Sequence, residues 1–394
     1  MTKRFMRKLE NVLLNRRFHL FLGLLFFLII LFFAFPDFFS SNASYQRDEP
    51  LRAEEEKGKK QKEKVIPPLD TVAYDKKLNE IANNPPPKEP TTKIEKDPET
   101  GEEKTVIVPP PPAPITGWPV HTVYPNAGAI LPFNRIVAYY GNLYSKKMGV
   151  LGEYPEDVML QKLKAEVQKW ETADPFTPVV PALHYIAVVA QGSAGADGKY
   201  RFRMPDSEIN KALAIAEKVP TSAGGNAIVF LDIQVGLSNL QTEVPYFEKY
   251  LKMPNVHLGV DPEFSMKTGA RPGKVVGTLD ASDINFTAEY LARLVRENNL
   301  PPKILVVHRY TQNMLTNYKL IKPLPEVQIV IHMDGWGEKA KKINTYRQFI
   351  YPEPVQFTGF KLFYKNDIFN PNTVLMTPAD LLKLSPQPVY IQYQ

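Results

Sequence analysis

The sequence has no cysteine among its 394 residues. This absence excludes disulfide bonds, thiolate metal sites and cysteine nucleophiles. It also leaves no N-terminal cysteine to carry a lipid anchor. Any attachment to a membrane must therefore be made by a hydrophobic segment of the chain itself.

Motifs for metal or nucleotide binding are also missing. Five side chains near predicted strand ends offer ligand atoms: His308, His332, Asp232, Asp261 and Asp334. However, the chain has no His-x-His and no His-Glu-x-x-His motif, and His184 and His257 are predicted to lie early in their strands, away from such a site. No Gly-rich phosphate loop follows a strand. We therefore predict neither a metal nor another cofactor.

A strong charge of one sign is absent as well. The net charge is +6, and residues 115–394 hold 29 basic and 25 acidic side chains in scattered positions. A surface that follows nucleic-acid phosphates needs clustered basic residues. Nucleic acid is therefore not an expected partner.

The most hydrophobic segment of the chain is residues 18–35, FHLFLGLLFFLIILFFAF. A helix of this length measures about 27 Å, close to the thickness of the hydrocarbon core. Basic residues crowd segment 1–17 and keep it in the cytoplasm, so the C-terminal domain is expected outside the cytoplasm. A cleaved signal peptide is the alternative, but the run is longer than its usual apolar region. We predict a single-pass anchor in the cell membrane.

Residues 36–114 are rich in proline and charge, which predicts a disordered linker. Such a linker could hold a domain on the order of 100–200 Å from the membrane. Within it, Tyr74, Leu78 and Ile81 would share one face of a short helix. A plain spacer is the interpretation we favour for this segment.

Residues 115–394 have the length of one α/β barrel. Eight apolar runs are predicted as strands: 136–140, 185–190, 227–234, 256–261, 304–308, 328–334, 357–363 and 389–393. Helical patterns lie between them at 156–171, 206–218, 246–252, 281–298, 312–320, 338–349 and 378–384. Apolar strands that alternate with helices indicate parallel pairing with both faces covered. The predicted fold is a TIM-like (β/α)8 barrel, with an open doubly wound sheet as the alternative.

In such barrels the functional site forms at the C-terminal ends of the strands. Asp261 and Glu263 end the fourth predicted strand and lie two residues apart, so they would point to the same side. Repulsion between two close carboxylates would raise the proton affinity of one of them. This is the arrangement that protonates a glycosidic oxygen. An ordinary loop acid at Glu263 is the alternative.

Asp232 and Asp334 end two further strands and could assist the pair or stabilise an oxocarbenium ion. The alternative for each is an ion pair with Arg309 or Lys361 at the rim. Trp336, with Tyr140, Tyr310 and Tyr364, could stack against a sugar ring. The complete set of predicted substrate-binding residues is Tyr140, Gln191, Gln234, His308, Arg309, Trp336, Tyr364 and Gln392.

Three short segments resemble chitinase-type family 18 glycoside hydrolases: residues 137–141 (VAYYG), Asp261-x-Glu263, and Met333-Asp334. The resemblance implies that Glu263 is the acid and that Asp261 assists by orienting an N-acetyl group of the substrate. It also implies that Asp334 helps to hold the sugar. Gly259 and Val256 stand where that family has further acids.

Together these features predict a membrane-tethered, glycoside hydrolase-like barrel that acts on cell-envelope or extracellular polysaccharide. The alternative is a non-catalytic barrel that binds carbohydrate or cell-wall glycan on its stalk, which the missing upstream acids favour. The sequence does not determine the oligomeric state.

Overall fold

A computed structural model describes residues 67–84, 91–96, 103–108, 117–222 and 224–394. The predicted cytoplasmic segment 1–17, the predicted membrane helix 18–35 and part of the predicted linker lie outside these residues. Across the described ranges, no helix combines the length and the apolar character needed to cross a membrane. The anchor at 18–35 therefore stays a prediction.

Eight parallel strands close into a barrel. Each strand pairs with the next one along the chain, and Tyr390 of the last strand pairs with Ile136 of the first. The barrel strands are Arg135–Gly141, Val179–Ala190, Ile228–Ile233, Val256–Val260, Lys303–Arg309, Val327–Met333, Phe357–Leu362 and Tyr390–Tyr393. The predicted parallel barrel is confirmed, and its closure excludes the open sheet.

Helices cover the outside of the barrel between the strands. They are Val150–Glu153, Glu156–Ala173, Asp206–Ala216, Leu240–Tyr246, Glu248–Leu251, Ala281–Glu297, Lys339–Phe349 and Pro378–Leu381. Shorter strands lie outside the barrel. Arg201–Arg203 pairs antiparallel with the second barrel strand, and Leu279–Asp280 pairs in parallel with Leu315–Thr316. Thr91–Lys96 and Glu103–Val108 form an antiparallel pair.

The helix predicted over 312–320 is wrong. This segment forms two short 3-10 turns, Gln312–Met314 and Tyr318–Leu320, on either side of the strand Leu315–Thr316. Asn317 adopts φ 56°, which an α-helix cannot contain. Its side-chain amide donates to Asp280, at the strand with which Leu315–Thr316 pairs. Tertiary pairing has overridden the local helical pattern.

A helix at Thr71–Ala82 closes the N-terminal end of the barrel. Asp70 caps it by accepting from Ala73 N at 2.9 Å. Tyr74, Leu78 and Ile81 are buried in a cluster with residues that begin the barrel strands, including Ile136 and Ile228. The prediction of a disordered linker over 36–114 is therefore wrong for residues 71–82, because this apolar face covers the open bottom of the barrel. It is also wrong for residues 91–96 and 103–108, which pair as antiparallel strands.

Shortening a buried side chain on this helix should destabilise the whole barrel. Leu78 is 4% exposed, so Leu78→Ala should lower the free energy of unfolding by about 2–5 kcal/mol, measured by urea denaturation. Val72, on the same helix, is 79% exposed, so Val72→Ala is the matched control and should change stability little. Equal effects of the two variants would contradict the role of this helix as a plug.

Candidate functional site

A cavity of about 580 Å³ opens at the C-terminal ends of the strands. Aromatic, acidic and basic side chains share its wall. The lining includes Tyr140, Gln234, Asp261, Glu263, Phe264, Tyr310, Asp334, Trp336, Lys341, Thr345, Lys361, Phe363 and Gln394. The cavity lies at the barrel end where the sequence predicts a site.

Asp261 and Glu263 both line the cavity, but not for the predicted reason. The fourth strand ends at Val260, and Pro262–Phe264 forms a 3-10 turn. Asp261 caps this turn, because its Oδ1 accepts from the backbone N–H of Glu263 at 3.1 Å. The turn, rather than the pleat of a strand, therefore brings the two acids to the same wall.

Both acids bind a proton more tightly than usual. Burial raises the pKa of Asp261 to about 8; the charge of His308 opposes this rise, while nearby carboxylates add to it. Burial also raises the pKa of Glu263, as does the charge of Asp334. Glu263 is only half-buried and interacts with the Tyr310 hydroxyl, so it is the acid of the pair that a ligand can reach.

A buried network lies beneath the cavity and is centred on Asp232. Asp232 Oδ2 accepts from the Tyr140 hydroxyl at 3.0 Å, and Asp232 Oδ1 lies 3.2 Å from His184 Nε2. His184 Nδ1 in turn lies 2.5 Å from the Tyr390 hydroxyl. Asp232 is fully buried and does not line the cavity, so it acts on the site through the side chains that it contacts, of which Tyr140 lines the cavity.

His308 joins this network to the cavity wall. Its Nδ1 lies 2.7 Å from Asp334 Oδ2, and its Nε2 lies 3.5 Å from Asp232 Oδ1. Lys361 Nζ lies 2.9 Å from Asp334 Oδ1 and 3.9 Å from the centre of the Tyr140 ring. Two carboxylates and two cations therefore alternate through the centre of the barrel.

The protonation states follow from these contacts. Burial would lower the pKa of His308, but the charges of Asp334 and Asp232 raise it to about 10. Burial would raise the pKa of Asp334, but Lys361 and His308 hold it below its usual value. His308 therefore carries a proton between Asp232 and Asp334, and Lys361 pairs with Asp334 from the other side.

One group in the described part of the chain could hold a metal ion. His184, Asp232 and His308 each present a ligating atom, and these atoms lie within 4.8 Å of one another. The same atoms already take part in the charge-balanced network, where His308 carries a proton. The prediction of a site without a metal stays a prediction.

The predicted substrate-binding residues separate into two groups. Tyr140, Gln234 and Trp336 line the cavity, and Gln234 Nε2 lies 3.3 Å from Asp261 Oδ2. The remaining predicted residues do not line it: Gln191, His308, Arg309, Tyr364 and Gln392.

Three of these residues lie away from the cavity for different reasons. Arg309 follows the inward-facing His308, so strand alternation turns it outward, where it pairs with Glu353 at 2.5 Å. Gln392 is fully buried and donates to the Tyr390 hydroxyl at 2.9 Å. Tyr364 stacks on Tyr393, at a centroid distance of 5.4 Å, outside this cavity.

His184 was expected on the wrong side of the barrel. The second strand begins at Val179 rather than at residue 185, so His184 lies at mid-strand and faces Asp232. Lys341 and Thr345 were missed because they come from the helix Lys339–Phe349 rather than from a strand end. For Lys361 the sequence predicts only an ion pair with Asp232 or Asp334, and the structure shows the pair with Asp334.

No family model matches the chain, and no curated protein matches it. Among solved structures, the cellulase Cel5C_n is similar with a TM-score of 0.30 and 14% identity, over 58% of this chain and 65% of the cellulase. This chain thus spans less than two thirds of the cellulase's length. The cellulose synthase subunit Z (CcsZ) from Clostridioides difficile is similar with a TM-score of 0.32 and 8% identity, over 66% of this chain and 92% of that chain.

Removing the buried acid should change how stability depends on pH. Because the pKa of Asp261 is raised to about 8, the folded chain keeps a proton that the unfolded chain loses near pH 4. Asp261 therefore lowers the free energy of unfolding progressively between pH 4 and pH 8. The stability of Asp261→Asn relative to wild type should rise over this window, by at most about 1.4 kcal/mol per pH unit. Urea unfolding at pH 5 and pH 8 measures this, and a constant difference would contradict it.

Gly259 leaves the space that the His184–Asp232 contact needs. A Cβ at this position would lie 2.4 Å from His184 Nε2 and 2.6 Å from Asp232 Oδ1. Both side chains are held by further hydrogen bonds, so Gly259→Ala should lower the free energy of unfolding by about 1–3 kcal/mol. At Gly192 an added Cβ meets no atom within 4 Å, so Gly192→Ala is the control. Thermal melts that coincide for the two variants would contradict this account.

Proposed function

We propose that this barrel hydrolyses polysaccharide, with Glu263 as the general acid. The observation that carries the proposal is a pair of carboxyl groups, Asp261 and Glu263, that both hold protons tightly at the wall of an open cavity. A carboxylic acid with a raised pKa is what glycosidic bond cleavage requires, since the leaving oxygen must be protonated.

Glu263 would give its proton to the glycosidic oxygen as the bond between that oxygen and the sugar carbon breaks. Water supplies the hydroxyl group that the sugar carbon gains, and its remaining proton returns to the carboxyl pair. Asp334 keeps its negative charge at the wall, where it can stabilise positive charge on the sugar ring. Asp261 holds the turn that carries Glu263.

Asp232 has a different role in this proposal from the one expected from its place at a strand end. It does not reach the cavity, so we assign it as a positioning residue that orients Tyr140 and His184. Tyr140 then contacts both the cavity and Lys361. The resemblance to family 18 implies the same role for Glu263. It also implies that Asp261 orients an N-acetyl group of the substrate, and we include this role in the proposal.

Trp336 provides a surface for a sugar ring. It lines the cavity and is 53% exposed, and Lys341 Nζ lies 4.4 Å from the centre of its ring. Aromatic faces pack against the apolar faces of ligands, and an exposed tryptophan at a cavity wall is suited to this role. With the predicted anchor at 18–35, the cavity would face envelope or extracellular glycan.

The test uses the full-length chain in detergent and a panel of envelope and plant polysaccharides. Glu263→Gln should reduce the release of reducing ends at least about 100-fold, because general acid catalysis contributes this much or more. Its melting temperature should stay within a few degrees of wild type, since Glu263 is half-exposed. Glu289 is exposed on the helix Ala281–Glu297, so Glu289→Gln is the matched control and should keep full activity.

Cleavage that survives in Glu263→Gln would exclude this mechanism. Binding without cleavage by the wild-type protein would instead favour the non-catalytic alternative. In that case Glu263→Gln should keep its affinity, while Trp336→Ala should lose it.

A further inference from the structure

A second cavity adjoins the first. It measures about 310 Å³ and is lined by Lys146, Lys147, Gly149, Glu153, Phe363, Tyr364, Lys365, Asn366 and Gln394. Phe363 and Gln394 line both cavities. The two cavities therefore share part of their wall, and the second one, which we call the lysine-rich extension, lies beside the cavity that holds the acid pair.

The extension carries an excess of positive charge. Lys146 and Lys147 are exposed, and neither forms an ion pair with another described residue. Lys365 pairs with Glu153, the one acidic side chain that lines this cavity. Two cations are therefore free to contact a ligand.

The main cavity does not offset this charge with free carboxylates. Asp334 is ionised but already paired with Lys361, and Asp261 holds a proton up to about pH 8. Lys341, which also lines the cavity, has no carboxylate partner among the described residues. Only Glu263 remains as a source of negative charge, and its pKa is raised.

The two free lysines lie on a turn whose backbone is tied to the first strand. Ser145 N donates to Asn142 O, which ties the turn to the end of the first strand. Gly149 follows with φ 143°, and a Cβ there would lie 2.3 Å from Tyr140 O. Only glycine allows this approach, so the turn packs directly against the strand that carries Tyr140.

We infer that the substrate is an anionic polysaccharide, with its acidic groups bound in the lysine-rich extension while a neighbouring glycosidic bond lies at Glu263. This inference rests on the proposed function and names its substrate class. Carboxylate and phosphate groups share the chemistry that lysine recognises, and either would be attracted by the two free ammonium groups.

The test compares neutral, uronate-bearing and phosphate-bearing oligosaccharides with the full-length chain, in both cleavage and binding assays. The double variant Lys146→Gln/Lys147→Gln should weaken kcat/KM and affinity for acidic members about three- to tenfold, through KM rather than kcat. Neutral members should be unaffected. Raising the salt concentration should reduce the difference between wild type and variant.

The matched control is Lys76→Gln/Lys164→Gln, which removes two exposed lysines that line neither cavity. It lowers the net charge equally, so it should leave the preference for acidic members intact. Uronate and phosphate members tested separately will distinguish the two sources of negative charge.

The outcomes separate the inference from the function on which it rests. If no member of any class is bound or cleaved, the proposed function fails. If neutral members are bound or cleaved as well as acidic ones, and both double variants behave alike, the proposed function stands and the anionic substrate is excluded.

Discussion

The central constraint on this molecule is charge balance inside a closed barrel. Asp232 and Asp334 are almost completely buried, and a buried carboxylate without a partner costs several kcal/mol. His308 lies between them, and Lys361 contacts Asp334 from the cavity side. Neither cation can be removed without leaving an uncompensated buried charge, so the arrangement at the C-terminal end of the barrel is tightly determined.

The balanced cluster also determines the chemistry of the acids above it. Because His308 and Lys361 are committed to Asp232 and Asp334, Asp261 has no cation of its own within ion-pair distance among the described residues. Burial then dominates, and its pKa rises. The same barrel therefore holds two ionised carboxylates and a protonated one within a short distance. Ion-pair geometry decides which acid keeps its proton.

The parts of the fold that the sequence predicts are those with local causes. Apolar runs marked the eight strands, since burial on both faces leaves a continuous signal. The second strand was predicted to start six residues late because Pro181 interrupts it, and proline is uncommon within strands. That shift concealed His184. The helix Thr71–Ala82 had a visible apolar face, but its partner is the bottom of a barrel built from distant segments.

The residues of the candidate site also divide into those that local sequence places and those that depend on the packing of distant segments. Asp261, Glu263, Asp334 and Trp336 follow strand ends, so topology alone placed them at one rim. Arg309 could have been assigned outward from strand alternation with His308, since only one of two successive residues can face the barrel interior. By contrast, the pairing of Lys361 with Asp334 and the helix position of Lys341 depend on how distant elements pack, which periodicity does not encode.

The lysines of the extension affect the proton affinity of Glu263 through the ligand that they bind. An anionic sugar near Glu263 would add negative potential and raise the pKa of this carboxyl further. Such a shift keeps the acid protonated while substrate is bound, but it also weakens the acid as a proton donor. Lys146 and Lys147 would bind the acidic groups away from Glu263, in the extension that shares Phe363 and Gln394 with the wall of the main cavity. Separating the ligand's charge from the catalytic acid in this way allows two adjoining cavities to attract an anion and still donate a proton to the glycosidic oxygen.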